Sequence, residues 1–411
     1  MNAEASQRVF ALVKEKSAQL ADSLSVRPEA IVLAGSFARN EGSVLMFEDR
    51  LRVLGDMEFM VFFREGSDLG RLQPELSRHA NSFRTELAAS VDCEVEFSAV
   101  TSKYLRELQP QVFGFELLSH GRTIWGDDQI LARAPRFPAS QIPQFDAWRM
   151  LNNRLLEQLE WADSIESGNR WQLLRIFYQL AKCYIDIGTS VLLFLGKYED
   201  TYSARATALG QLAATFADGE MRFLQPLAER VAECTKFKLA PDLKLRPLGI
   251  RLDMEDPKKL REDICRALAE MVPIARSVWR WEASRISGRL LETAADDNEV
   301  RNAALSTQQM REVLRGWIKI ALMANVRREP DFARRMAKQI VHGSPRYLTY
   351  CVASELFFQL PTVLAGGTPE LSAEHFLPVT FAEHADETRT WWRLRADVLR
   401  GWHLFLRNQW A

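Results

Sequence analysis

Apolar and polar positions follow two different periods along this chain, and the change of period divides it. The run from Val53 to Phe63 is strongly apolar, and its only charged positions are Asp56 and Glu58. Residues two apart on a strand share a face, so the spacing predicts a strand with Asp56 and Glu58 together and Met57, Phe59 and Val61 opposite. A second alternating run, Val91-Asp-Cys-Glu-Val-Glu-Phe97, sets Asp92, Glu94 and Glu96 against Cys93, Val95 and Phe97. Ala30 to Ala34 is wholly apolar and predicts the first strand of the set. Helical spacing from about Ala5 to Leu24 (Val9, Leu12, Val13, Leu20) precedes that strand. A further helix, predicted over 69–89, separates the two acidic strands and would cover one face of a sheet.

The pattern shifts at Ala132-Arg-Ala-Pro-Arg-Phe-Pro-Ala-Ser-Gln-Ile-Pro143, whose three prolines disfavour helix and central strand alike and mark a linker. Beyond it, helical periodicity dominates over 146–164, 170–195, 202–216 and 220–237, as in an antiparallel bundle with short connections. A proline-bearing stretch from Leu239 to Gly249 comes before a long helix over 257–291, and the acidic run Thr293 to Glu299 marks a turn into a last helical section. That section is rich in tryptophan: Trp317, Trp391, Trp392, Trp402 and Trp410. Aromatics interleaved with arginine, as from Thr390 to Trp402, suit either a partner-binding or base-stacking surface or the packing of a final helix onto a core. The chain is thus expected to hold an α+β domain with a small mixed sheet over residues 1–131, a helical bundle over 144–292 and a helical domain over 300–411.

Composition narrows the function classes. The 411 residues are 47% hydrophobic and 26% charged, as in a globular protein with a substantial core. A formal net charge of −1 gives no general attraction to nucleic acid, which weakens polymerase-like options. Cys93, Cys183, Cys234, Cys265 and Cys351 lie far apart with no Cys-x-x-Cys pair, as expected of reduced core residues in a cytoplasmic protein. The six histidines have no zinc-ligand spacing. The first residues lack the basic and apolar segments of a signal peptide, and no apolar run approaches the ~18 residues of a membrane span, so no membrane partner is expected.

The chemistry lies near the N-terminus. Two carboxylates held side by side repel each other unless a cation sits between them, and Mg²⁺ suits such a pair because its shell is completed by water and substrate phosphates. Gly35 and Ser36, leaving the first strand, form a tight turn whose backbone N–H groups and hydroxyl could hold a phosphate. A third carboxylate from the 91–97 run, with Glu94 at its centre and Glu96 as the alternative, would complete a two-metal cage. Equally, Asp56 and Glu58 could be the solvated face of an edge strand. Asp56 lies twenty positions after Ser36, so the intervening 40–52 reads as a loop insertion beside the phosphate site, with Arg39 placed to meet phosphate oxygens.

Leu33-Ala-Gly-Ser-Phe-Ala-Arg-Asn-Glu-Gly42, the Asp56-Met-Glu58 strand and the later acidic strand together resemble the nucleotidyltransferase superfamily of DNA polymerase β. The kanamycin nucleotidyltransferase type is locally the most similar, and Phe115 to Gly126 is similar to the element that closes such domains. The resemblance covers about residues 1–130 and implies Asp56, Glu58 and Glu94 as metal ligands, with Gly35, Ser36 and Arg39 at the nucleotide. The helix from Arg175 to Gly188 resembles the one that supplies a lysine and a general-base carboxylate in that type. Lys182 would then reach the phosphates, while the base position holds Tyr178, a phenol with an unperturbed pKa near ~10; Asp186, one turn beyond Lys182, could substitute. The implied function is Mg²⁺-dependent transfer of a nucleoside monophosphate from a nucleoside triphosphate, ATP being the expected donor, to a hydroxyl of a small molecule or protein. A homodimer sharing its sites is one arrangement the resemblance allows. The alternative is a nucleotide-binding or partner-binding regulator that keeps the fold without turnover.

Overall fold

A computed structural model describes residues 2–88, 91–216, 221–289, 296–322, 341–371 and 387–405. The N-terminal part is built on five strands: β1 (Ala30–Leu33), β2 (Val44–Phe47), β3 (Arg50–Phe63), β4 (Val91–Thr101) and β5 (Arg122–Gly126). β3 is the spine. One of its edges pairs antiparallel with β2 near its start (Val44 opposite Val53) and with β1 near its end (Leu33 opposite Phe59); its other edge pairs with β4 in parallel. β5 adds antiparallel to β1. The sheet is therefore mixed, and the parallel step is made by the crossover helix α3 (Leu69–Leu87), whose N-cap Asp68 accepts from the Arg71 amide.

The segment 40–52, expected as a loop, is instead largely the β2–β3 hairpin. Its two turn residues, Glu48 and Asp49, have φ of 50° and 58°, the left-handed pair of a two-residue hairpin turn whose twist matches that of the strands. The cue was weak, because neither turn residue is the glycine or asparagine that usually announces this turn.

The alternation along β3 is borne out. Met57, Phe59 and Val61 are buried against α1 (Asn2–Ser23) and α3, through Val9, Val13, Leu20, Leu76 and Phe83. The opposite face is covered by two different partners. At its far end Met60 and Phe62 pack with Leu105, Leu117 and Ile130, from α4 (Ser102–Arg106), α5 (Val112–His120) and the turn beyond β5. At its near end Leu54, with Leu45 and Phe47 of β2, joins the core of the helical part. Asp56 and Glu58 lie on this face between the two apolar contacts, both half-buried.

The helical part comprises α6 (Gln144–Glu160), α7 (Ala162–Ser167), α8 (Arg170–Phe194), α9 (Tyr202–Thr215), α10 (Leu224–Leu239), α11 (Pro257–Ser287), α12 (Asp297–Ser306), α13 (Met310–Leu322), α14 (Pro345–Leu364) and α15 (Glu387–Phe405). A capping box between Asn169 and Gln172 starts α8, which is buried on nearly every side and packs against α6, α9, α10 and α11. A single apolar cluster runs from Ile142 to Trp402, so the core carries no division at the expected 292–300 boundary. Trp148 stacks on Trp279 with centroids 5.9 Å apart, and the Trp391 indole donates to the Leu356 carbonyl at 3.1 Å. Trp317, Trp391 and Trp402 are all buried, so the tryptophan-rich section packs a core. The acids of the 293–299 run begin α12, with Asp296 as N-cap accepting from the Glu299 amide, while Trp410 and positions 293–295 lie outside the described residues. Among the described residues no helix is long and apolar enough to cross a membrane.

Inside this core Glu282 of α11 is fully buried. Ser190 Oγ donates to its Oε1 at 2.5 Å, while Oε2 has no hydrogen-bond partner among the described residues. Burial pushes the carboxyl up to about 8, against the smaller pull of the Ser190 hydrogen bond, so it stays protonated where an unfolded glutamate is ionised. Between pH ~4.5 and ~8 the unfolded chain holds one proton fewer at this position, and stability falls as pH rises, by about 1.4 kcal/mol per unit. Glu282→Gln should flatten this contribution, so urea unfolding between pH 5 and pH 8 should show a shallower decline than in the parent protein. Parallel declines in the two would show that Glu282 is not the buried acid responsible.

Candidate functional site

The geometry of the site follows from β3 and the turn that meets it. The Ala34 amide donates to the Glu58 carbonyl at 2.8 Å, and the chain then turns through Gly35 at φ +65° into the single helical turn α2 (Gly35–Ala38). A Cβ at Gly35 would lie 2.6 Å from Glu58 Oε2. Glycine is thus required here both for its conformation and because the Glu58 carboxyl is pressed against the backbone. Gly35 and Glu58 are brought together as expected, with Ser36 next in the same turn.

Glu58 and Asp56 form a like-charged pair in a partly dry setting. Burial pushes the Glu58 carboxyl up to about 8, Asp56 adds to the shift, Lys182 opposes it, and Glu96 and Glu116 contribute in the same direction as Asp56. Opposite them stands α8, with Lys182 half-buried. Arg154 of α6 and burial disfavour the Lys182 ammonium, but Asp56, Glu157 and Asp186 outweigh them and hold it protonated. Arg154 is itself anchored by Asp186, 2.7 Å from its Nε, and by Glu157. The site thus sets two carboxylates on a strand against Lys182 of α8, with Arg154 close to Lys182 and held by carboxylates of its own. Asp186 pairs with Arg154 and not with Lys182 alone, and Arg154 had no motif to mark it in the sequence.

The parallel register puts Glu94 opposite Asp56 and Glu96 opposite Glu58. Glu94 is exposed and lies 3.1 Å from Arg84 and 3.7 Å from Arg175, so its charge is met by two arginines, while Asp92 is met by Arg52 at 3.4 Å. Glu96 is near enough for its charge to add to the upward shift of the Glu58 carboxyl.

Arg39 is placed differently from the expectation. It is buried, 3.0 Å from Glu41, and paired with Glu116 of α5, which also pairs with Arg205 of α9 and accepts from the Tyr198 hydroxyl at 2.7 Å. Glu41 in turn accepts from the Tyr202 amide at 2.9 Å. Burial alone would raise the Glu116 carboxyl, but Arg205 and Arg39 overcome it and hold it at about 2. Arg39 is therefore a brace that ties the glycine–serine turn to α5 and α9. Glu116 lay unremarked within the 115–126 segment.

A second buried group adjoins the site. The Lys238 ammonium of α10 donates to the Tyr178 hydroxyl at 3.0 Å and to Ser43 Oγ at 3.3 Å, and Ser43 Oγ donates to the Lys238 carbonyl at 2.8 Å. Burial opposes ionisation of the Tyr178 phenol, yet Lys238 and Lys182 outweigh it and hold it below the usual range. Tyr178 also lies against β3, because a Cβ at Gly55 would sit 3.1 Å from its hydroxyl. Lys238 and Ser43 are remote from each other in the chain and carried no sequence cue.

Among the described residues no three carboxylate, histidine or cysteine side chains are gathered as a ready metal-ligand group. The donor set at β3 is a carboxylate pair, and its chemistry fits a hard divalent cation: ionising Glu58 beside Asp56 is costly without one, and Mg²⁺ uses one or two protein carboxylates. Comparison of the chain with family models, with curated proteins and with solved structures gives no match.

Replacing Glu116 by Gln leaves Arg39 and Arg205 buried without the carboxylate between them. Losing one partner of a buried ionic network costs about 3–5 kcal/mol, and urea unfolding of Glu116→Gln at neutral pH should show a loss of that order. A loss within the ~0.5 kcal/mol typical of a surface change would mean that the network does not brace the turn.

Proposed function

We propose that the chain is a Mg²⁺-dependent nucleotidyltransferase whose catalytic domain is the N-terminal sheet region, residues 1–131, with a hydroxyl of a small molecule or protein as acceptor and ATP as the expected donor. The observation that carries this reading is the placement of Asp56 and Glu58 on one strand face, against the Gly35 turn and within the field of Lys182. Carboxylates suit a metal and a lysine ammonium suits a triphosphate.

In this reading Asp56 and Glu58 hold the metal, which when bound would neutralise phosphate oxygens and help to align them. Glu96, opposite Glu58 in the β3–β4 register, is the carboxylate that would receive the acceptor proton. Lys182 binds the phosphates, with Arg154 beside it, and the Gly35–Ser36 turn offers backbone amides and a hydroxyl. The acceptor oxygen forms a bond to the α-phosphorus as the bond to the β-phosphate oxygen breaks. Pyrophosphate leaves with that electron pair, and the hydroxyl proton passes to Glu96. Positioning and charge compensation supply the catalysis.

The second reading, a nucleotide-binding or partner-binding regulator without turnover, is favoured by Tyr178, which occupies the position of the general base and is engaged by Lys238. Calorimetric titration with each nucleoside triphosphate, first with Mg²⁺ and then with EDTA, tests the site without knowledge of the acceptor. The proposal expects metal-dependent binding of a triphosphate that Asp56→Ala/Glu58→Ala abolishes. No binding of any nucleotide, or binding indifferent to the double substitution, would overturn it.

A further inference from the structure

Away from this site, one surface helix carries an apolar row that nothing in the described structure covers. Eight large apolar side chains are exposed among the described residues, and four of them lie on α13: Met310 at 71%, Leu314 at 45%, Ile318 at 59% and Leu322 at 69%. Their spacing of four residues makes them one row along the helix. Val341, at 82% the most exposed of the eight, opens the described segment that leads into α14. Singly exposed apolar residues are ordinary; a row of four on one helix marks a contact surface.

The remainder of the helix defines what the row can meet. Val313 and Trp317 are buried, the Trp317 indole donates to the Gly343 carbonyl at 2.9 Å, and Gly316 lies close to Pro345 at the start of α14. One flank of the row is therefore fixed to the body of the protein. The other flank carries Arg311, Arg315 and Lys319, each one position beyond an apolar member and each exposed. Glu312 is the single acid of the helix and sits farther round it. The basic flank continues inward: burial and the neighbouring charges of Arg346 and Arg149 hold the Lys319 ammonium below its ordinary range. Two copies of α13 meeting antiparallel across their apolar rows would place each basic flank against its own copy, so the charge pattern disfavours that pairing. A convex ridge with an apolar row beside a basic one instead matches a flat anionic surface, with the apolar side chains below the headgroup level and the arginines at it.

We infer that α13 is a peripheral docking surface for anionic lipid membranes, a contact that the expectation of no membrane partner, drawn from the lack of a spanning segment, did not cover, with Met310, Leu314, Ile318 and Leu322 inserting and Arg311, Arg315 and Lys319 meeting the headgroups. The full chain, floated with phosphatidylcholine vesicles or with equal mixtures of phosphatidylcholine and phosphatidylglycerol, should rise with the anionic vesicles alone, and added salt should release it. Leu314→Glu/Ile318→Glu and, separately, Arg311→Gln/Arg315→Gln change only exposed positions, so the fold should persist. Each should lower the anionic-vesicle affinity by about an order of magnitude or more. The inference is overturned if the parent protein stays with the unbound fraction, if both variants float as it does, or if sedimentation velocity shows self-association that both variants abolish.

Discussion

The arrangement of the site depends on one electrostatic constraint, that Asp56 and Glu58 share a strand face which water only partly reaches. Their position is set by apolar packing on either side. Leu54 is drawn into the helical core, and Met60 and Phe62 are covered by α4, α5 and the turn after β5, so the two acids fall in the seam between. Alternation fixes which residues face the seam, and glycine at position 35 lets the turn come close enough to press on Glu58. The repulsion that results is met by Lys182 from α8, whose ammonium Asp56 helps to hold protonated.

Two buried polar groups make the same connection elsewhere. Arg39, Glu116 and Arg205 link the glycine–serine turn to α5 and α9, and Ser43, Tyr178 and Lys238 link the start of the hairpin to α8 and α10. Each joins residues far apart in the chain, and each excludes solvent from charges that would be costly to leave alone. The turn and the hairpin are thereby held in fixed relation to the helices that face Asp56 and Glu58.

What the sequence made legible was whatever repeats locally. The alternation around Asp56 and Glu58, the apolar Ala30–Leu33 strand, the crossover helix after β3 and the periodicity of α6 and α8 all depend on neighbours within a few residues. The β2 strand was missed because Glu48 and Asp49 make its turn without a glycine. Which of Glu94 and Glu96 lies opposite Asp56 and which opposite Glu58 depends on the β3–β4 register, and the arginines of α3 and α8 that meet Glu94 are brought there by tertiary packing. The role of Arg39 needed Glu116, seventy-seven positions away, and Arg154 and Lys238 reach the site only through packing of the bundle. The helical core did not divide where the acidic run suggested, since a surface charge run sets a turn and says nothing of whether the helices on either side share apolar faces.

If the Asp56–Glu58 pair holds a divalent cation, electron paramagnetic resonance of Mn²⁺ titrated into the protein with no nucleotide present should show saturable loss of the free-ion signal, competition by Mg²⁺, and loss of that binding in Glu58→Gln with the fold intact by circular dichroism. Undiminished Mn²⁺ binding in Glu58→Gln, or none in the parent protein, would contradict it.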